Sequence, residues 1–477
     1  MTVKCDLELK PQDVTSPRWK EECGVAGVWA PGRSVVDLCY LGLFALQHRG
    51  QESAGLAVTD GLHIDMERGM GLMREAFRHR LPSLKGHAAI GHVRYSTCGA
   101  SLFNNIQPIF AYFSGGFICL AHNGSLTNAP SLRRRLEKDG CVFQTGTDTE
   151  AILNLIARDG AQTTEEKIAA SLQQIEGAYS LTIMTGDRLI GVRDPYGFRP
   201  LCLGSLPGGG YVLASESCAL DAAGAEFIRD VAPGEMLIID RDGLHSRIIG
   251  ARPRLARCVF EYIYFARPDS VLDGLSVWQA RYRLGQQLAR EFTGAADMVT
   301  PVPDTGITAA LGFAAESGLP YVEGLIKNRY VGRTFILPDQ AERQSTVEMK
   351  LNPIRANLKD KRVVLVDDSL VRGTTSASLI SLIRRAGAGE VHFCISSPPI
   401  THPCYYGIDT AVRKELIASH KTVDEIRRII SADGLQYLSR PGLMGAVGDP
   451  EEKLMCGACF SGEYPTSVKD VENKECK

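Results

Sequence analysis

Three stretches of this 477-residue sequence carry side chains whose types and spacing suit chemistry. In "RVVLVDDSLVRGTTSASLI" the apolar residues Val363 to Val366 run into adjacent carboxylates, Asp367 and Asp368, and Gly373, Thr374, Thr375 and Ser376 open the segment that follows. A buried strand ending in two acids, followed by a glycine and three hydroxyls at a helix start, is where open α/β sheets take up ligands. The N–H groups and hydroxyls of residues 373–376 suit a phosphate, and the paired acids suit ribose hydroxyls and a hard cation. In "WKEECGVAGVWAPG" Cys23 precedes a glycine-rich apolar run. Burial as an inert thiol is the common fate of a free cysteine. An amino-terminal cysteine, by contrast, carries its own base, because an α-amine titrates near 8 against lysine's roughly 10.4. That chemistry requires cleavage of the Glu22–Cys23 bond. The third stretch, "EEKLMCGACFSGEYPT", holds Cys456-x-x-Cys459, a spacing compatible with zinc, with redox exchange or with neither.

Elements to position these groups are legible on both sides of residue 250. Strand-like runs ("GVAGVWA", "HAAIGHVRYS", "GFICLAHNGS", "SLTIMTG", "YVLASES") and helical patterns ("SVVDLCYLGLFALQ", "DTEAILNLIARDG") make the first half mixed α+β. After "RPRLARCVFEYIYFARPDS" strands and helices alternate: "ADMVTPVPD" then "ITAALGFAAES", and "RVVLVDDS" then "SASLISLIRRAGA". That alternation predicts a parallel sheet covered by helices. With 44% apolar and 23% charged residues the chain is globular and long enough for two or three cores. A net charge of −2 offers no broad basic surface for nucleic acid, so small molecules are the expected partners. Fourteen cysteines are too sparse for a disulfide scaffold. Residues 1–22, with four basic and five acidic residues, match neither a signal nor a transit peptide. No apolar run is long enough for a membrane span. A cytoplasmic location is expected.

Two other readings of the acid pair fit less well. A receiver domain of a two-component regulator places its acid pair near the domain's start, whereas here about a hundred residues of the same domain precede it. A Walker A loop needs G-x-x-x-x-G-K-[ST], which is absent. The string instead resembles the phosphoribosyl pyrophosphate (PRPP) signature of type I phosphoribosyltransferases, which implies PRPP contacts from Asp367, Asp368, Arg372, Gly373, Thr374, Thr375 and Ser376. "PVPDTGITAA" (301–310) resembles that family's pyrophosphate loop, adding Asp304 as a PRPP contact and Thr305, with Asp367 and Asp368, as contacts for one magnesium ion. "KNRYVGRTFILPDQAERQSTVEMK" (327–350) resembles its lid, adding Lys327 and Arg329.

The first half resembles the N-terminal-nucleophile, or class II, glutaminases, with their layered αββα fold. "CGVAGV" supplies the nucleophile, "LQHRGQESAG" (46–55) and "GHVRYSTCG" (91–99) surround the pocket, and "AHNGSLTN" (121–128) and "GTDTE" (146–150) complete it. The resemblance implies that Arg94 pairs with the α-carboxylate of glutamine and Asp148 with its ammonium group. It implies too that the Asn123 amide and the Gly124 N–H hold the oxyanion. Together with "DPYGFRPL" (194–201), the order of motifs from Cys23 to about Tyr464 resembles the glutamine phosphoribosylpyrophosphate amidotransferases. That implies a leader at 1–22 removed in maturation, a glutaminase domain at 23–255 and an α/β phosphoribosyltransferase domain at 256–477. The resemblance implies that glutamine is hydrolysed at Cys23 and that the ammonia displaces pyrophosphate from PRPP, giving 5-phosphoribosylamine for purine synthesis. The lid and "YIYFARPDS" are where the ammonia passage is expected to close.

Cys258 and Cys404 stand in segments resembling the cluster-bearing branch of that family. With Cys456 and Cys459 the resemblance implies one [4Fe–4S] cluster per subunit, although soft sulfur ligands suit zinc as well. Family members are homo-oligomers inhibited by purine nucleotides, so a homotetramer or homodimer with such inhibitors is expected. Lys327, Arg329 and residues 367–376 are candidate nucleotide-phosphate contacts. Other amidotransferases, such as glucosamine-6-phosphate synthase or asparagine synthetase, lack "VDDSLVRGTTS". A PRPP-sensing transcription regulator would have no use for the glutaminase half.

Overall fold

A computed structural model describes residues 23–95, 102–250, 254–328, 350–408 and 412–472. The leader 1–22, Arg329 with most of the expected lid, and residues 96–99 of "GHVRYSTCG" lie outside the described residues.

The first half is two antiparallel sheets face to face, with helices outside each. The seven-stranded sheet runs Glu226–Asp230, Cys202–Ser205, Tyr211–Ala214, Gly24–Trp29, Ala88–Arg94, Ser53–Thr59, Ile64–Met70. The six-stranded sheet runs Gly243–Ile248, Glu235–Asp240, Leu189–Arg193, Gly177–Met184, Gly116–Leu126, Ile109–Phe113. The central strands read as unbroken apolar or small-residue runs because both faces are covered, as in Gly24–Trp29, where all six residues are buried. Val25, Ile90, Ala121, Leu213 and Leu237 fill the space between the sheets. Ala26, Val28 and Leu56 face the helix Val35–Ala45 through Cys39 and Leu43, and Leu120 and Leu181 face the helix Thr149–Arg158 through Ile152 and Ile156. The layering is therefore αββα.

The second half has a four-stranded, all-parallel sheet in the order Met298–Pro301, Arg362–Asp367, Glu390–Ile395, Gly434–Tyr437. Successive residues of its second strand serve opposite cores. Val364 and Val366 pack with Leu284 and Phe313 of helices Val277–Glu291 and Gly306–Ser317, while Val363 and Leu365 pack with Leu379 and Ile426 of helices Thr374–Arg385 and Val423–Ile429. The expected parallel sheet with helices on both faces is what forms. One arrangement is not evident from the sequence: the carboxyl end returns to the first half. Asp470 accepts hydrogen bonds from Ser131 N–H at 2.7 Å and from Arg134 at 2.9 Å, and the short strands Arg257–Cys258 and Met455–Cys456 pair in parallel at the junction. Among the described residues no helix is long and apolar enough to cross a membrane.

Candidate active sites

Cys23 sits at the entry to the central strand Gly24–Trp29 and lines a small pocket with Arg94, Gly124 and Asp148, residues drawn from four separate segments. Cys23 is 8% exposed, and its thiol donates to the Tyr95 carbonyl at 3.4 Å. Burial pushes the thiol up to about 11; the Tyr95 hydrogen bond and the Arg94 charge pull against it, and Asp148 and Glu52 add to it. A thiol held so high is protonated near neutrality and needs a base within reach to become a nucleophile. The strand start is pinned by Arg49, whose Nε donates to the Cys23 carbonyl at 3.1 Å, and by Ser215, whose hydroxyl accepts the Val25 N–H at 3.0 Å.

Arg94 ends the strand Ala88–Arg94 and is 2% exposed at the pocket wall. Asp148 precedes the helix Thr149–Arg158, and its loop is shaped by Glu150, which accepts the N–H groups of Gln144 and Thr145 at 2.8 and 2.7 Å. Burial raises the Asp148 carboxyl, but the neighbouring His122, the Leu126 N–H at 3.0 Å and the Thr149 N–H outweigh it and hold it below its ordinary value. It is therefore an anion in a buried pocket, suited to an ammonium group. Opposite it, Gly124 has φ +141°, and a Cβ there would come 2.1 Å from the Ala178 carbonyl oxygen. Only glycine fits, which leaves the backbone bare where the pocket needs it.

Asn123 takes a different place from the one the motif suggests. It is fully buried, it is not among the residues lining the pocket, and its amide donates to Ser215 at 3.4 Å while its Oδ1 has no hydrogen-bond partner among the described residues. The pocket instead includes Tyr95, Gln107, His122 and Thr147. Gln107 accepts the His122 N–H at 2.8 Å, and His122 Nδ1 stands 3.4 Å from Asp148. Tyr95 and His122 lie inside quoted motifs, where neighbourhood was a signal; Gln107 lies between motifs and gave none.

In the second half Asp367 ends the strand Arg362–Asp367, and Asp368 follows it, 5% exposed. Asp368 accepts hydrogen bonds from the Ser369 and Thr305 hydroxyls, so the loop at 304–306 does meet the acid pair. Burial raises the Asp367 carboxyl well above its ordinary value and the Asp368 charge raises it further. Burial raises Asp368 too, against the two hydroxyls and the Arg281 charge. A half-buried and a buried carboxylate side by side, with the Arg281 charge in their field, form a site that a divalent cation and sugar hydroxyls would relax. Gly373, at φ +78°, turns the chain into the helix Thr374–Arg385, with Thr374 and Thr375 exposed and Ser376 buried at its start. Lys327 is ion-paired with Asp304, so two expected contacts meet one another, while Arg372 is paired with Glu415 of a later segment.

The four cysteines lie in the same neighbourhood at the junction. Cys258 and Cys456 are opposite one another on the paired junction strands, and the charges of Cys404, Cys456 and Cys258 all add to the burial that raises the Cys459 thiol. Among the described residues no group of three or more His, Cys, Asp or Glu is placed to hold a metal ion.

Comparison with known proteins places each half separately and then the whole. Residues 92–222 match the glutamine amidotransferase domain family and residues 269–422 the phosphoribosyl transferase domain family. The chain is 50% identical over 453 residues to the amidophosphoribosyltransferase of Bacillus subtilis, covering 94% of this chain and 95% of that one. It is 51% identical to that of Archaeoglobus fulgidus, covering 94% and 99%. Among solved structures, the glutamine PRPP amidotransferase of B. subtilis complexed with ADP and GMP superposes with a TM-score of 0.89 at 49% identity, covering 94% of this chain and 98% of that one.

Proposed function

Because the chain belongs to the amidophosphoribosyltransferase family, the glutamine-dependent enzymes of the first step of purine biosynthesis, we propose that it divides the reaction between the two sites as follows. Residues 23–255 form the glutaminase and 256–477 the phosphoribosyltransferase. Cys23, freed by removal of residues 1–22, attacks the side-chain carbonyl of glutamine. Its α-amine accepts the thiol proton, a C–S bond forms, and the C–N bond breaks as that proton passes to the leaving ammonia; water then cleaves the thioester to glutamate. Arg94 takes the substrate α-carboxylate as a planar fork and Asp148 the α-ammonium. The Gly124 N–H receives the oxyanion, joined by Asn123 once its amide turns from Ser215; one such donor contributes about 3–4 kcal/mol to the transition state. Ammonia crosses to the second site and attacks C1 of PRPP, breaking the bond to pyrophosphate. Asp367, Asp368 and residues 372–376 orient PRPP, with Asp304, Lys327 and Arg329 over the pyrophosphate. Asp367, Asp368 and Thr305 suit magnesium because burial raises both carboxyls and the Asp368 charge raises Asp367 further, a cost that a bound cation would relieve. Bound, the ion takes up charge on the departing pyrophosphate.

The observation that carries this reading is the convergence of Cys23, Arg94, Gly124 and Asp148 on one pocket from four segments. The thiol's own environment motivates the first test. Pushed up to about 11, it needs a base, and while residue 22 is attached its nitrogen is an amide. Intact-mass measurement of glutamine-active enzyme is expected to show a chain beginning at Cys23. Full activity with residues 1–22 still attached would refute the maturation step.

Cys258, Cys404, Cys456 and Cys459 are proposed to hold a [4Fe–4S] cluster. Support comes from the pairing of Cys258 with Cys456 on the junction strands and from the nearness of Cys404, Cys456 and Cys258 to Cys459. Its role is structural, since the ligands tie the carboxyl-terminal segment to the domain junction and the reaction moves no electrons. Anaerobically purified protein is expected to be brown, with about four iron and four sulfide per chain. A colourless protein of full activity, or one mole of zinc, would refute the assignment. Purine nucleotides are proposed as feedback inhibitors, the B. subtilis relative having been solved with ADP and GMP. A cytoplasmic homotetramer or homodimer completes the proposal.

A further inference from the structure

Arg49 is 1% exposed and its guanidinium has three partners. Nε donates to the carbonyl of Cys23 at 3.1 Å, Nη1 donates to Glu216 of the same half at 2.6 Å, and Nη1 and Nη2 donate to the two carboxylate oxygens of Glu261 at 2.9 and 2.7 Å. Glu261 belongs to the other half of the chain: it opens the π-helical turn Glu261–Phe265, just past the junction strand, and is 2% exposed. The same carboxylate accepts from Arg199 Nη1 at 3.3 Å, and Arg199 in turn donates to the Tyr406 carbonyl at 3.0 and 2.6 Å. A carboxylate of the second half therefore sits between two buried guanidiniums of the first. One of these holds the backbone of the nucleophile.

The turn is held at its other side by the PRPP half. Arg281 of the helix Val277–Glu291 donates to the carbonyls of Tyr262 at 2.9 Å and Ala266 at 2.7 Å. Its charge acts on Asp368 of the acid pair. Single π-turns are uncommon and concentrate at functional sites, and here one spans from the acid pair's cation to a partner of Arg49.

We infer that Glu261 is a positioning residue for the glutaminase reaction, fixing the Cys23 backbone through Arg49 jointly with Glu216 and so coupling the geometry of that site to the seating of the second half. The inference rests on Cys23 being the nucleophile. The physical need is plain: once residues 1–22 are gone, Cys23 is a chain terminus, which frays unless tied down. Displacement of a reacting group by about 1 Å can cost about a hundredfold in rate. The bidentate, charge-assisted pair of Glu261 with Arg49 is the kind of contact that fixes direction as well as distance.

Glu261→Gln keeps the shape and removes the charge, and Glu261→Asp keeps the charge and shortens the reach. In full-length processed enzyme, Glu261→Gln is expected to lower glutamine-dependent kcat by about tenfold or more. The KM for glutamine should hold, since Arg94 and Asp148 are untouched, and ammonium-dependent synthesis should stay within about twofold. Glu261→Asp should recover part of the loss. Equal loss of both nitrogen routes, an unchanged ratio between them, or a rise in KM alone would overturn the inference. Should Glu261→Gln not fold, the same ratio measured on Glu261→Asp decides. Cys23→Ala, run alongside, separates the two assignments. If it still uses glutamine, the nucleophile is wrong; if it is inactive while Glu261→Gln and Glu261→Asp behave as the parent enzyme, only the role of Glu261 is.

Discussion

Cys23→Ala is expected to lower glutamine-dependent formation of 5-phosphoribosylamine by about a thousandfold or more, because no other group replaces a missing covalent nucleophile. Synthesis from high ammonium should continue at close to the parent rate. The sites are physically separate: the thiol donates to the Tyr95 carbonyl in a pocket shared with Arg94, whereas the acid pair is held by the Thr305 and Ser369 hydroxyls of the second half. Alanine removes only the sulfur, leaving the Arg49 bond to the residue 23 carbonyl intact. Pyrophosphate release with each nitrogen source in turn is the measurement. Loss of the ammonium route in folded protein would show that the two chemistries are not divided as proposed.

Asp367→Asn should act on both routes. It removes a charged acceptor for ribose hydroxyls and one proposed contact of the cation, and hydrogen bonds to charged groups contribute roughly 1.5–3 kcal/mol each. The expected fall in kcat/KM for PRPP is about a hundredfold with glutamine and with ammonium alike. Stability should move the other way. Burial and the Asp368 charge raise the Asp367 carboxyl in the folded protein. A carboxyl so raised costs stability once the pH exceeds its unfolded value. Asparagine removes that cost, so the melting temperature without ligand is expected to hold or rise at neutral pH. A lower melting temperature with unaltered PRPP kinetics would mean that Asp367 serves the fold and not the substrate.

Much of the site was legible where it is built from contiguous backbone. Val363 to Ser376 form a strand end, a turn and a helix start in one pass, so the type of each residue predicts its place. "CGVAGV" is legible for a similar reason: a strand covered on both faces reads as an unbroken small and apolar run. Other roles depend on where side chains turn. The sequence marks Asn123 as an oxyanion donor, but which partner its amide meets is set by tertiary packing, which places Ser215, 92 residues away, at 3.4 Å. Arg372 sits within the phosphate-loop string, yet it pairs with Glu415 from a later segment.

By itself the sequence determined the two halves, the chemistry each can carry, and the order of strand and helix that presents Cys23 and the acid pair. Those follow from periodicity and from local backbone chemistry, which act over a few residues. Only the tertiary structure decided how the halves are joined. Arg49 and Glu261 are 212 residues apart, Gln107 reaches its pocket from between motifs, and Asp470 near the carboxyl end caps an interaction with Arg134 of the first half. Nothing in the local sequence of an arginine or a glutamate names its partner. The choice is made by burial, since a charge taken out of water must find its opposite in whatever segment packing has brought beside it.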